Sequence, residues 1–229
     1  MVDIHSHVLP YIDDGARNED EAIMMLQDAY NKGISVVYAT PHLRVYSDEE
    51  LEKAVEIRDS SFEALLSEAK KRGALIPEVK KGFEVHLDSD VTEFSDFSKL
   101  CFEGTNKMLV EMPMHHWDGF TINRIETLKE KSIVPVLAHI ERYIEFKKNI
   151  EKALSLEGVI YQVSADAFFG FRRLRFIKKL FEMGKIVIVG SDMHNMDTRK
   201  NKMAEAYKKA IRKNKGFEIM FDTDISALL

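Results

Sequence analysis

The chain has 229 residues, is 45% hydrophobic and carries a net charge of −5, with acidic and basic side chains interspersed. This suits one domain over 1–229 with a full-sized core, and the lack of a basic face argues against a nucleic-acid partner. A single cysteine, Cys101, excludes an internal disulfide and fits a reducing, cytoplasmic setting. MVDIHSH does not read as a signal peptide, and no apolar run is long enough for membrane insertion.

Val2 and Ile4 open a strand that carries His5 and His7. Residues i and i+2 of an extended chain face one side, so both imidazoles can reach one ion. Pro10 and the cluster Asp13-Asp14-Gly15 mark a loop. Asn18 and Glu21 form a capping-box pattern before a helix with Ala22, Ile23, Leu26 and Ala29 on its apolar face. Ser35 to Ala39 is a β-rich run ending at Thr40-Pro41-His42. Ser47 and Glu50 repeat the capping pattern before a long amphipathic helix to Gly73.

Val79 to Val85 reads as one strand carrying Glu84, with His86 just after. Asp90 to Leu100 reads as a short helix over the sheet. Lys107 to Met112 is a strand carrying Glu111, and the loop PMHHWDG precedes a helix from about Thr121 to Lys131. Val134 to Ala138 is a strand ending in His139, and Val159 to Val163 one ending in Ser164-Ala165-Asp166. A basic amphipathic helix runs from about Phe171 to Met183. Ile186 to Val189 is a strand ending in Gly190-Ser191-Asp192-Met193-His194. A helix over Lys200 to Lys213 and a last strand over Phe217 to Phe221 complete the chain.

Seven or eight strands alternating with helices imply parallel pairing and right-handed crossovers. At this length a short, closed α/β barrel is the economical fold. An open doubly wound sheet is the alternative, but no GxGxxG loop follows the first strand. Barrels place their sites at the C-terminal strand ends. The candidate ligands lie at or near such ends: His5, His7, Asp14, His42, Glu84, Glu111, His139, Asp192 and His194.

Taken singly, any of these is a common loop or core residue; the repetition at successive strand ends is what signals a site. Five imidazoles and four carboxylates without a thiolate suit Mn, Fe or Zn in a hydrolytic centre and not a structural zinc site. Nine ligands would serve two or three ions. With three divalent ions the cluster keeps a charge of roughly +2, which attracts a dianionic phosphate and lowers the pKa of a shared water. Asp13 competes with Asp14, and the position before Gly15 favours Asp14. His86 reads as a loop residue or a neighbour of the ligands, and His115 and His116 as surface residues at the rim. Arg142 and Arg199 follow His139 and His194 closely and suit bidentate phosphate binding. The basic run Arg172, Arg173, Arg175, Lys178 and Lys179 reads as a solvated helix face. A cysteine phosphatase needs C-x5-R; here Cys101 is followed by Lys107, so that mechanism is disfavoured.

HSH, DDG, TPH, the Glu of GFE, the Glu of VEMP, AHIERY and SDMHN, in this order, resemble the polymerase-and-histidinol-phosphatase (PHP) superfamily. Within it the sequence is similar to the manganese-dependent tyrosine-protein phosphatases of bacterial capsule and exopolysaccharide synthesis. The resemblance covers essentially the whole chain. It implies a distorted seven-stranded β/α barrel with three divalent ions, Mn first and Fe or Zn as alternatives. His5, His7, Glu84 and Asp192 would hold one ion. Glu84 would bridge to a second, completed by Glu111 and His139, and Asp14, His42 and His194 would hold the third. Arg142 and Arg199 would orient phosphate. The implied substrate is phosphotyrosine on the tail of a tyrosine autokinase, attacked by a bridging hydroxide. Histidinol phosphate or another small phosphoester is the alternative, and the oligomeric state is left open.

Overall fold

Strand and helix alternate along the computed structural model, which describes residues 1–87 and 93–228. The first half contains β1 (Val2–Ser6), α1 (Glu19–Asn31), β2 (Val36–Ala39), β3 (His42–Leu43), α2 (Asp48–Lys71), β4 (Glu78–Lys81), β5 (Glu84–His86) and β6 (Lys107–Glu111). The second contains α3 (Gly119–Glu130), β7 (Val134–Leu137), α4 (Lys147–Ser155), β8 (Ile160–Ser164), α5 (Phe171–Glu182), β9 (Val187–Gly190), α6 (Met203–Lys213) and α7 (Ile219–Asp222). Both capping patterns start helices. Asn18 accepts the Glu21 N–H at 2.9 Å and Ser47 accepts the Glu50 N–H at 3.2 Å. The glutamates bond one residue further back than a strict box, to the N–H groups of Arg17 and Tyr46.

Every strand pairing is parallel, in two sheets ordered β1-β2-β4 and β3-β5-β6-β7-β8-β9. These are two parts of one barrel. Pro41, which has no N–H, separates β2 from β3, and Gly82-Phe83 separates β4 from β5. Backbone bonds cross both breaks: Gly82 N–H donates to the Ala39 carbonyl and Glu84 N–H to that of Pro41, each at 3.0 Å. Thus β2 with β3, and β4 with β5, each fill one strand position, making seven positions among the described residues. The barrel closes where the chain after β9 runs beside β1. Asp192 N–H donates to the His5 carbonyl at 2.8 Å and His7 N–H to that of Met193 at 2.9 Å. Ser6 and Met193 form a parallel bridge there. The expected distorted seven-position β/α barrel is the fold observed.

The interior is filled by Val2, Ile4, Leu109, Val136, Ile160 and Ile188, and Ile225 of the C-terminal segment joins them. A second apolar layer, including Val37, Val85, Val110, Leu137 and Val189, faces the helices. Each such side chain contributes about 1.5–3 kcal/mol by leaving water. Simple alternation on β1 would send His5 away from the side taken by Val2 and Ile4. The register removes this conflict: Asp3 pairs with Val37 and Ser6 with Ala39, so β1 carries one extra residue. This bulge turns His5 and His7 into the barrel mouth.

Several expected elements change. Val79–Val85 is two strands, not one. The expected helix over Asp90–Leu100 falls partly outside the described residues, and Phe97–Leu100 is a 3₁₀ turn capped by Asp96. The last expected strand is helical: a 3₁₀ turn over Lys215–Glu218 leads into α7. Phe217, Met220 and Phe221 are buried at i, i+3 and i+4, a helical spacing that their β-rich composition masks. Helix α4, which the sequence reading left out, buries Asn149 and Ala153 four residues apart. Among the described residues, no helix is long and apolar enough to cross a membrane.

Candidate metal centre

The strand ends on one rim bring the nine candidate ligands into a single cluster. Three sets of possible ligand atoms each lie within 4.8 Å of one another: His5, His7 and Glu84; Glu84, Glu111 and His139; His7, Asp14, His42 and His194. Glu84 is shared by the first two, and His7 by the first and third. Asp192 borders the first and third, its Oδ1 lying 3.7 Å from His5 Nε2 and 3.6 Å from His7 Nε2. A fourth set, His42, His86 and Glu111, lies alongside. His115 and His116 are exposed and stay outside the cluster. Their loop is held instead by buried Trp117, whose indole N–H donates to the Pro113 carbonyl at 2.9 Å.

Two close backbone approaches make this geometry possible. A Cβ on Gly190 would lie 2.5 Å from His5 Cβ, and a Cβ on Gly15 would lie 2.2 Å from the His7 carbonyl oxygen. Only glycine fits either place. His139 and Asp192 adopt positive φ, 32° and 54°. That conformation costs a non-glycine residue roughly 1–2 kcal/mol, and here it falls on two rim residues that carry candidate ligands.

The imidazoles are aimed by groups behind them. His7 Nδ1–H donates to Asp13 Oδ2 at 2.7 Å, leaving Nε2 free to face the cluster. His5 Nδ1 meets Gln162 Oε1 at 3.2 Å, and His194 Nδ1–H donates to the Asp192 carbonyl at 3.0 Å. Carboxylate or carbonyl partners of this kind fix the tautomer of a ligating histidine. The two neighbouring aspartates therefore differ. Asp13 backs His7 and accepts the His42 N–H at 3.0 Å, while Asp14 Oδ1 faces His42 Nε2 at 3.4 Å and His194 Nε2 at 3.3 Å. His86 Nδ1 lies 2.9 Å from Glu111 Oε2 and steadies that carboxylate. The sequence reading did not single out Gln162. A lone amide inside the apolar strand Ile160–Ser164 was the available signal.

The donor chemistry fits divalent ions. Glu84 Oε2 is buried with no hydrogen bond among the described residues. Yet nitrogens of His42, His5 and His7 surround it at 2.9, 3.2 and 3.3 Å. Buried His42 Nδ1 and His194 Nε2 are likewise without hydrogen-bond partners among the described residues. Buried polar atoms that face one another without hydrogen-bond angles are costly unless something else satisfies them, and ligands converging on ions meet that description. The electrostatics agree. Burial opposes protonation of His5 and His7, but the Glu84 carboxylate overrides it for His5. The hydrogen bond to Asp13 and the nearby Glu84 carboxylate lift His7 to about 10. Burial opposes ionisation of Glu84, yet His5, His139 and His42 hold its carboxyl well below the usual range. Burial and neighbouring His7 drop His194 to about 3, so its imidazole is neutral. The carboxylates draw protons onto His5 and His7, the kind of positive charge a divalent ion would supply instead.

Arg142 and Arg199 both reach Asp192. Arg142 donates to Asp192 Oδ2, and Arg199 donates to Asp192 Oδ1 at 2.9 Å and Asp14 Oδ2 at 3.4 Å. Beside them lies a polar cavity of about 120 Å³ lined also by Glu141, Ser164, Arg173 and Lys200. Glu141 is buried there and accepts the Ser164 N–H at 3.3 Å; burial pushes its carboxyl up. Asp3, unremarked in the sequence, ties β1 to the segment after β9. It accepts the Ser191 N–H at 2.7 Å and the Asn201 amide at 3.1 Å, and burial lifts its carboxyl to about 6. Cys101 is buried, burial pushes its thiol up to about 12, and its Sγ–H bonds the Phe97 carbonyl. It is not placed or poised to be a nucleophile.

The sequence model of a family described as "Capsular polysaccharide synthesis, CpsB/CapC" matches residues 1–225. Tyrosine-protein phosphatase CpsB of Streptococcus agalactiae is 30% identical over 220 residues, 91% of this chain and 88% of that protein. Tyrosine-protein phosphatase YwqE of Bacillus subtilis is 32% identical over 217 residues, 90% of this chain and 82% of that protein. A crystal structure from work on YwqE of Bacillus subtilis and CpsB of Streptococcus pneumoniae, described as unique metal-dependent tyrosine phosphatases, has a TM-score of 0.75. It is 28% identical and covers 93% of this chain and 87% of that one. The lactonase Lmo2620 of Listeria monocytogenes shares the fold alone, with a TM-score of 0.58 at 11% identity over 96% of this chain and 91% of that one.

Proposed function

Because the chain belongs to the CpsB/CapC family of capsular polysaccharide synthesis, we propose that it is a metal-dependent protein-tyrosine phosphatase. The observation that carries this reading is the cluster of five imidazoles and four carboxylates, with Arg142 and Arg199 at its edge. We read the chain as one catalytic domain that acts in the cytoplasm on a tyrosine-phosphorylated protein, the tail of an autokinase governing polysaccharide export.

In this reading, one ion is held by His5, His7, Glu84 and Asp192, and a second by Glu84, Glu111 and His139. Asp14, His42 and His194 hold a third. The mixed nitrogen and oxygen donors suit Mn, Fe or Zn; the resemblance to manganese-dependent phosphatases is what puts Mn first. Bound there, divalent ions supply an activated water near neutral pH and positive charge for phosphoryl oxygens. The protein does the rest. Asp13, Gln162 and His86 keep the ligands aimed. Each guanidinium has five N–H donors, and the contacts to Asp192 and Asp14 leave donors on Arg142 and Arg199 for phosphate oxygens. Phenol has a pKa of about 10, so its phenolate departs without a strong acid beside it.

The test is phosphate release by chelator-stripped protein before and after Mn(II), from a phosphotyrosine peptide and from histidinol phosphate in parallel. Metal-dependent release from the peptide is expected. Preferential turnover of histidinol phosphate would keep the centre but refute the protein substrate.

A further inference from the structure

Helices α4, α5 and α6 together carry twelve Lys or Arg and three Glu, in a chain whose net charge is −5. A groove of about 340 Å³ lies between α4 and α5. Ile150, Leu154 and Phe176 give it an apolar lining, and Arg172, Arg175 and Lys179 a cationic one; Glu151 is the one carboxylate among its lining residues. Arg175 and Lys179 are exposed and form no ion pair among the described residues. Arg172 pairs with Glu145 at 2.8 Å, but both side chains are largely in water, where such a pair contributes little.

The groove adjoins the phosphate cavity. Arg142 lines the cavity, and Ile144, two residues on, lines the groove. Likewise Arg173 lines the cavity, while Phe171 and Arg172 line the groove. Phe171 is 82% exposed at this junction. A chain leaving the cavity therefore meets an apolar channel with positive walls.

We propose that the groove between α4 and α5 docks an acidic segment of the substrate protein that directly adjoins the target phosphotyrosine. The proposal rests on the phosphatase reading above. Charge complementarity sets the occupant's sign, and continuity with the cavity sets its place. Helix α5 has 12 residues, about 18 Å, which an extended peptide covers in about five or six residues. The docking anions, carboxylates or further phosphotyrosines, lie within that distance of the reacting phosphate. The concave shape suits a peptide better than a flat anionic membrane.

The full chain loaded with Mn(II) is assayed on para-nitrophenyl phosphate and on three phosphotyrosine peptides. Their flanks are about five aspartates, about five serines, or serines interrupted by a second phosphotyrosine. Both anionic peptides are expected to exceed the serine peptide about tenfold in kcat/KM at low salt, through KM, with the advantage fading as salt rises. An advantage of only one anionic peptide supports the docking and identifies which anion is read. Arg175→Glu/Lys179→Glu should abolish the advantage while para-nitrophenyl phosphate turnover stays within about twofold. The milder Arg175→Gln/Lys179→Gln should leave an intermediate preference. Equal kcat/KM for all three peptides in the unaltered chain overturns the proposal, as does an advantage that survives charge reversal. Binding to phosphatidylglycerol vesicles that charge reversal abolishes, without any peptide preference, assigns the face to membrane and also overturns it. If no substrate is turned over, the phosphatase reading has failed, and fluorescence anisotropy of a labelled aspartate peptide still judges the groove. Binding that charge reversal weakens about tenfold upholds it, and binding that it leaves unchanged overturns it.

Discussion

Replacing Asp13 by asparagine separates the two neighbouring aspartates by role. Asp13 Oδ2 takes the His7 Nδ1–H at 2.7 Å and the His42 N–H at 3.0 Å, and its Oδ1 takes the Gly15 N–H at 2.9 Å. Asparagine keeps the shape and one acceptor but loses the charge, and the His7 bond weakens or its ring reorients. A hydrogen bond to a charged group contributes about 1.5–3 kcal/mol, and about 1.4 kcal/mol is tenfold in binding. The expected loss of Mn(II) affinity is therefore about 10- to 100-fold, the range seen when a group behind a metal ligand is removed. Titration of metal-free protein against a competing chelator measures affinity and stoichiometry together. Asp13→Asn should keep the number of ions and weaken their binding, whereas Asp14→Asn should lose an ion outright. If Asp13→Asn loses an ion while Asp14→Asn leaves both number and affinity unchanged, the roles are reversed and the geometric argument fails.

Gly190→Ala puts a Cβ 2.5 Å from that of His5. Overpacking of this kind costs about 1–3 kcal/mol, or roughly 2–12 °C in Tm for a chain of this size, and metal content should fall with it. An unchanged melting curve would show that β1 and β9 can separate freely. Arg142→Ala should lower kcat/KM on a phosphotyrosine peptide about 100- to 1,000-fold while bound metal, measured by elemental analysis, stays the same. Loss of metal instead would show that Arg142 works through Asp192. At the far end of the barrel, burial works against ionisation of Asp224, but Tyr38, the Ser226 N–H and Lys80 lower its carboxyl to about 2. A depressed acid stabilises the fold above its unfolded pKa, and that contribution disappears as pH falls through the folded value. With solvent screening allowed for, Asp224→Asn should cost about 1 kcal/mol at pH 7 in denaturant unfolding, a gap that narrows as pH falls from about 4 toward about 2. A constant gap would mean that shape and not charge holds the pair.

Much of the site was legible because barrels convert sequence order into position. Strand-helix alternation sends every strand end to one rim, so ligand-type residues recurring after apolar runs converge without any contact being known. Arg142 and Arg199 were legible for the same reason. By charge and period alone the basic helix Phe171–Glu182 looks like a solvated face, since neither reveals the neighbouring helix that makes a groove.

The chain's own pattern determined the parallel strand-helix alternation, the candidate ligand types and the rim that bears them, because those follow from local periodicity and the handedness of crossovers. Closure into a barrel came from the contact of β1 with the chain after β9. Tertiary structure alone decided the bulge that turns His5 inward, the breaks at Pro41 and Gly82, and the division of labour between Asp13 and Asp14. It also placed Gln162 behind His5 and made Phe217–Phe221 helical. Each of these depends on what lies across space, on a facing strand or an imidazole far away in sequence, and local propensity is silent about such partners.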